Sequence, residues 1–134
     1  MLQTLNTKRG GFTLVEIMIV VAIIALLASI AVPNFLRSRR RAQATQVLQD
    51  LRMIDAAIDQ YAIENNKSGG ASVSWDDVRT YLKAGSRLET SGGNDVIGNA
   101  ITIPAVDTAP KVPLATYNAL SVVAPTSFWS PFNQ

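Results

Sequence analysis

Glu16 is the only charged residue between Phe12 and Val32. A carboxylate in an apolar run costs roughly 2.5–3.5 kcal/mol at mid-membrane, and less near an end. Such a group stays ionised when an opposite charge lies within about 4–6 Å, and no basic residue in the run supplies one. Other candidate chemistry is sparse. The chain has no histidine and no cysteine, which removes imidazole catalysis, thiolate metal ligation and a disulfide framework. Asp76 and Asp77 follow Trp75, a grouping seen in sugar chemistry, but Ser74 ahead of them reads as a helix cap and accounts for the acidic pair. Four arginines, Arg37, Arg39, Arg40 and Arg41, could meet anionic headgroups, acidic residues of another chain or nucleic acid. No aromatic residue interleaves with them to stack bases, so no nucleic-acid partner is expected.

The element that must position Glu16 is a membrane-length helix. Twenty-one residues from Phe12 to Val32 rise roughly 30 Å, the thickness of a hydrocarbon core. Leu, Ile, Val and Phe each favour insertion by roughly 0.3–0.6 kcal/mol, and their sum outweighs one carboxylate. Ala28-Ser29-Ile30-Ala31 loosely offers a signal-peptide cleavage site, but the run is too long and its charge sits at the wrong end for one. The sequence pI of 9.2 has a local origin: without Lys8 and Arg9, the 12 basic residues fall to ten, equal to the acidic count.

Lys8-Arg9-Gly10-Gly11, then Phe12-Thr13-Leu14-Val15-Glu16, then the apolar run to Pro33, resembles the amino terminus of type IV pilins and the pseudopilins of type II secretion. The resemblance covers about the first 35 residues. It implies cutting by a prepilin peptidase between Gly11 and Phe12, followed by N-methylation of Phe12. The new ammonium at Phe12 would then lie near the depth of Glu16. Three outcomes stay open for that carboxylate. It can meet its own chain's amine, since residues four apart share a helix face; it can snorkel to the interface without a partner; or, as the family implies, it can pair with the amine of a neighbouring subunit and set register. Pro33 lacks the N–H that would donate to the Ser29 carbonyl, so a weakened or kinked helix is expected there. Family filaments lose helical order between a mid-span glycine and this proline; here Ala25 stands at the glycine position. A count of positive charge alone puts the carboxyl-terminal part in the cytoplasm. The resemblance implies the reverse, with the leader inside.

Beyond Pro33 the helical period continues. Ala44, Val47, Leu48, Leu51, Ile54, Ile58, Tyr61 and Ala62 mark one apolar stripe, while Gln46, Gln49, Asp50, Arg52, Asp55 and Asp59 take the remaining surface. Arg52 and Asp55 are spaced to pair. The helix is expected to end near Asn65-Asn66. A second helix begins at Ser74, with Trp75, Val78 and Leu82 on one face and Gly85 as its stop. Gly92-Gly93 opens a turn, Gly98-Asn99 reads as a hairpin turn, and Ala100 to Pro104 alternates as an edge strand. Asp95-Val96-Ile97-Gly98-Asn99 is similar to the Asp-x-x-Gly-Asn turn of major pseudopilins, with Val-Ile replacing Pro-Trp. Some of those relatives hold calcium in a carboxyl-terminal loop; no ligand set can be placed here, and no metal or cofactor is assigned. Pro113 starts a short helix over Leu114 to Val123, with Tyr117 and Leu120 inward. The neutral tail Ser127 to Phe132 is expected to pack as core, with a subunit contact as its alternative.

The expected fold class is α+β: a long helix, half transmembrane and half amphipathic, packed on a small head with a short antiparallel sheet. Residues 1–11 form the leader, 12–33 the transmembrane and filament-core helix, 34–66 its amphipathic continuation, and 67–134 the head. The resemblance implies a non-enzymatic filament subunit, of a pilus or of a secretion pseudopilus. Its partners would be the prepilin peptidase, related subunits, the inner-membrane assembly machinery and membrane lipids. It would sit in the cytoplasmic membrane with its head outside, then in a filament in the periplasm or at the surface. The alternative is an uncleaved, membrane-anchored extracytoplasmic binding protein.

Overall fold

The computed structural model describes residues 10–134, in two units that meet between Leu36 and Arg37. The helix α1, Leu14–Glu64, is 51 residues long and runs through Pro33 unbroken. Near that proline the Ser29 hydroxyl donates to the Leu26 carbonyl at 2.6 Å. Over its amino-terminal half α1 is long and apolar enough to cross a membrane. At the other end Asn66 takes a left-handed conformation, φ 50°. Its amide donates to the Ile63 carbonyl, and the Lys67 amide donates to the Ala62 carbonyl at 2.9 Å. Those two bonds satisfy carbonyls that the last turn would otherwise orphan, so the helix stops where the asparagine pair predicts.

The head unit, residues 37–134, contains α2 (Trp75–Arg79), α3 (Arg87–Thr90), α4 (Leu114–Leu120) and a 3-10 turn at Thr126–Trp129. One face of α1 enters its core through Ala44, Val47, Leu48, Leu51, Ile54, Ala57, Ile58 and Ala62, all buried. Val78, Leu88, Ile101, Val106, Val112, Leu120, Trp129 and Phe132 complete the same apolar cluster. The tail is therefore core: Trp129 is fully buried, stacks edge-on with Phe128 and donates its indole N–H to the Ala124 carbonyl at 3.3 Å.

Five expectations need correction. The helix after Pro113 ends at Leu120, short of Val123. No strand forms among the described residues; one antiparallel bridge, Asn94 to Ala100, stands where the sheet was expected. The alternating Ala100–Pro104 segment finds no ladder partner, because the facing chain is the Gly92-Gly93 turn, at φ 69° and 86°, and Pro104 has no N–H to donate. A second rung, Gly70 to Val106 and Val106 to Ala71, both 3.0 Å, ties two loops in the same piecemeal way. Asp50 lies in the core face of α1 rather than on its surface. The helix begun at Ser74 ends at Arg79, short of Leu82, and Arg52 pairs with no acid among the described residues.

Candidate functional site

Gly10 to Thr13 has no regular structure, and a side-chain carbon placed on Gly10 or Gly11 would touch nothing within 4 Å. Among the described residues nothing crowds either glycine ahead of the Gly11–Phe12 peptide. Phe12 is 86% exposed. Lys8 and Arg9 lie outside the described residues.

Helix α1 begins just after that bond, and the structure explains why it begins there. The Glu16 amide donates to the Thr13 Oγ1 at 3.2 Å, and the Thr13 amide donates to the Glu16 Oε2 at 2.8 Å. This reciprocal exchange satisfies two donors that the first turn leaves without partners. Sequence reasoning missed it, although Thr13-x-x-Glu16 is its signature; attention to the carboxylate as a charge hid its role as a cap. Glu16 thereby bends back toward its own chain, one residue from where a cleaved amino terminus would stand. Consecutive Cα atoms are about 3.8 Å apart, so an ammonium at Phe12 would fall within electrostatic reach of a carboxylate already bound to the next amide. The second oxygen, Oε1, accepts no hydrogen bond among the described residues and remains available to a donor on another chain.

The surface around this site is apolar. Leu14, Val15, Ile17, Met18, Ile19, Val20, Val21, Ile23, Ile24, Leu26, Leu27, Ile30 and Val32 are all exposed in the isolated chain. An uninterrupted apolar surface of this extent requires a cover, either lipid or other apolar helices.

The head carries a second constellation that the sequence hinted at only as a turn. Asp95 is buried, and its Oδ1 accepts from the amides of Ile97, Gly98 and Asn99, each at 2.9 Å. Its Oδ2 accepts from the Thr116 hydroxyl, which in turn accepts from the side-chain Nδ2 of Asn99 at 2.8 Å. All of these contacts are internal, so the arrangement serves to lock the turn to α4. Asp76 is exposed and Asp77 half-buried, and Asp77 exchanges bonds with Ser74 as a cap at the start of α2.

Comparison with known proteins agrees with this geometry. The prokaryotic N-terminal methylation motif matches residues 6–32. The chain is 38% identical over 60 residues to the type II secretion system core protein G of Klebsiella pneumoniae, covering 45% of this chain and 43% of that protein. It is 39% identical over 59 residues to the core protein G of Escherichia coli K12, covering 44% and 41%. To the type IV major pilin protein PilA of Myxococcus xanthus it is 32% identical over 100 residues, covering 74% of this chain and 46% of the pilin. The chain spans less than half the length of these relatives. No solved structure matches it. The chain thus carries the prokaryotic N-terminal methylation motif, and its amino-terminal segment is similar to those of type II secretion core protein G and type IV major pilin PilA.

Proposed function

We propose that the chain is a structural subunit of a filament, of the type IV pilus or type II secretion pseudopilus kind, with no catalytic role of its own. Prepilin peptidase cuts between Gly11 and Phe12, Phe12 is N-methylated, and the subunit waits in the cytoplasmic membrane with its head outside. Inner-membrane machinery then moves it into a stack of related subunits. The observation that carries this reading is the pairing of an exposed Gly11–Phe12 bond with a helix whose whole first half is uncovered and apolar. Lipid covers that surface before assembly, and the helices of other subunits cover it afterward. Burial of apolar faces drives the stacking, and the free oxygen of Glu16 sets register by meeting a neighbour's ammonium. Pro33 weakens α1 locally and allows the helices to adjust within the stack.

Intact-mass analysis of polymerised material tests this. The expected species lacks Met1 to Gly11 and carries one added methyl. A full-length chain in the polymer would overturn the proposal, and a full-length chain that stays monomeric in the membrane would favour an anchored binding protein.

A further inference from the structure

The Arg37–Arg41 cluster has no role in the reading above. Its four arginines are all exposed, and none forms an ion pair among the described residues. Arg37 and Arg41 are one helical turn apart and share a face. Together with Ser38 they line a recess of about 280 Å³ closed on the other side by Val122 and Val123, in the turn that follows α4. Val122 is an aliphatic side chain left 73% exposed beside two unpaired guanidinium groups.

Position along the chain identifies what fits this mixed surface. Arg37 follows Val32 by five residues of continuous helix, about 7.5 Å of rise, and the headgroup layer on each side of a bilayer is roughly 5–7 Å deep. Cα–Cβ bonds in a helix tilt toward its amino terminus, which here is the membrane side, so both arginine side chains lean back toward the headgroups. We propose that Arg37 and Arg41, with Ser38 and Val122, form a docking site for the phosphate of an anionic phospholipid headgroup, which holds the unassembled subunit's head against the membrane. The guanidinium pair would take the phosphate oxygens, Ser38 would add a hydroxyl, and Val122 would rest against the headgroup layer beside them. The inference rests on α1 spanning the membrane, as the proposed function requires.

The chain has no cysteine, so a single Val122→Cys substitution can carry a nitroxide in the otherwise native full-length protein. In vesicles containing phosphatidylglycerol, the label is expected to become more accessible to oxygen and less accessible to a water-soluble nickel relaxant than in pure phosphatidylcholine. Arg37→Gln/Arg41→Gln should abolish that contrast, and 0.5 M salt, at roughly a 4 Å screening length, should reduce it. Arg39→Gln/Arg40→Gln removes the same charge and should retain it. Equal water exposure in both lipids, or equal loss with both arginine pairs, overturns the site. So does dipolar broadening that vanishes on dilution with unlabelled chain, which would assign the recess to a second copy. A label at Ile24→Cys reports insertion separately: if it is not lipid-exposed, the membrane reading itself has failed.

Discussion

The carboxylate of Asp50, in the core face of α1, is ion-paired with the guanidinium of Arg87 on α3, 37 residues further along the chain. Asp50 is 1% exposed, whereas the Arg87 side chain keeps 37% of its surface. Arg87 also donates to the Asn94 carbonyl at 2.9 Å, and Gln46 donates to the free oxygen of Asp50 at 3.3 Å. One buried acid thus fastens the long helix to α3 and to the turn beyond it. Removing the cation would strand a desolvated carboxylate. Arg87→Ala is expected to destabilise the head by about 2–3 kcal/mol, below the usual range for a buried pair because Arg87 is partly exposed. Denaturant unfolding followed by tryptophan fluorescence measures this, since Trp129 is buried in the same cluster. Asp50→Asn/Arg87→Ala should recover part of the loss, because no buried charge remains; a double variant weaker than the single would contradict this account.

Glu16 has two roles that substitution can separate. Glutamine at the same position keeps an oxygen for the Thr13 amide, so Glu16→Gln should preserve the start of α1. It cannot attract an ammonium. This variant is expected to be inserted, helical and processed, yet to form few or no filaments. Thr13→Ala does the opposite: it removes the hydroxyl cap at a cost of about 1 kcal/mol and leaves the charge, so filaments should persist. Electron microscopy of sheared material decides both cases. Abundant filaments from Glu16→Gln would mean that capping is the whole function of the residue.

What the sequence made legible follows from where a local signal decides the outcome. The period of α1, its end at Asn65-Asn66, the cap at Ser74 and the helix after Pro113 all depend on residues within one or two turns. The sheet did not follow, because alternation from Ala100 to Pro104 describes one edge and says nothing of a partner, and the facing chain proved to be a glycine turn. Asp50 shows the other kind of miss. It lies three residues after Val47 and four before Ile54, so the period alone places it on the buried face; its polarity argued against burial, and its partner sits on a four-residue helix too short to show a period. At the amino terminus the cap was available in the Thr13-x-x-Glu16 spacing, and the charge of Glu16 drew the reading away from it.

The head's response to acid follows from two carboxylates with strong donors. Hydrogen bonds from the Ser74 hydroxyl and amide hold Asp77 below its ordinary range. The Arg79 hydrogen bond and the Gly85 amide do the same for Glu89. Both folded-state values are depressed, so each contribution is present above about pH 4.5 and is lost as pH falls through the lowered value. Asp50 has the opposite sign: burial, opposed by Arg87, raises its carboxyl, so its contribution declines as pH rises. Asp55 is raised likewise, by burial and then by Asp59, so the Asp77 contribution is read as a difference: between about pH 5 and about pH 2 the urea midpoint should lose less on acidification in Asp77→Asn than in the native chain. A slope unchanged by Asp77→Asn would remove that group from the account.

Asp95 organises its turn by accepting four bonds, three from consecutive amides and one from Thr116. Asp95→Ala would leave those amides and a buried hydroxyl without an acceptor, and is expected to cost about 3 kcal/mol. Thr116→Val keeps the shape of the side chain and removes the links to Asp95 and Asn99, with an expected loss of about 1–2 kcal/mol. Because the two residues share one network, their effects should be non-additive, the double variant losing less than the sum. Hydrogen exchange at Ile97, Gly98 and Asn99 locates the effect: protection there should collapse in Asp95→Ala while the α1 amides between Val47 and Ile58 remain protected. Uniform loss across the head would instead make Asp95 a determinant of the whole core.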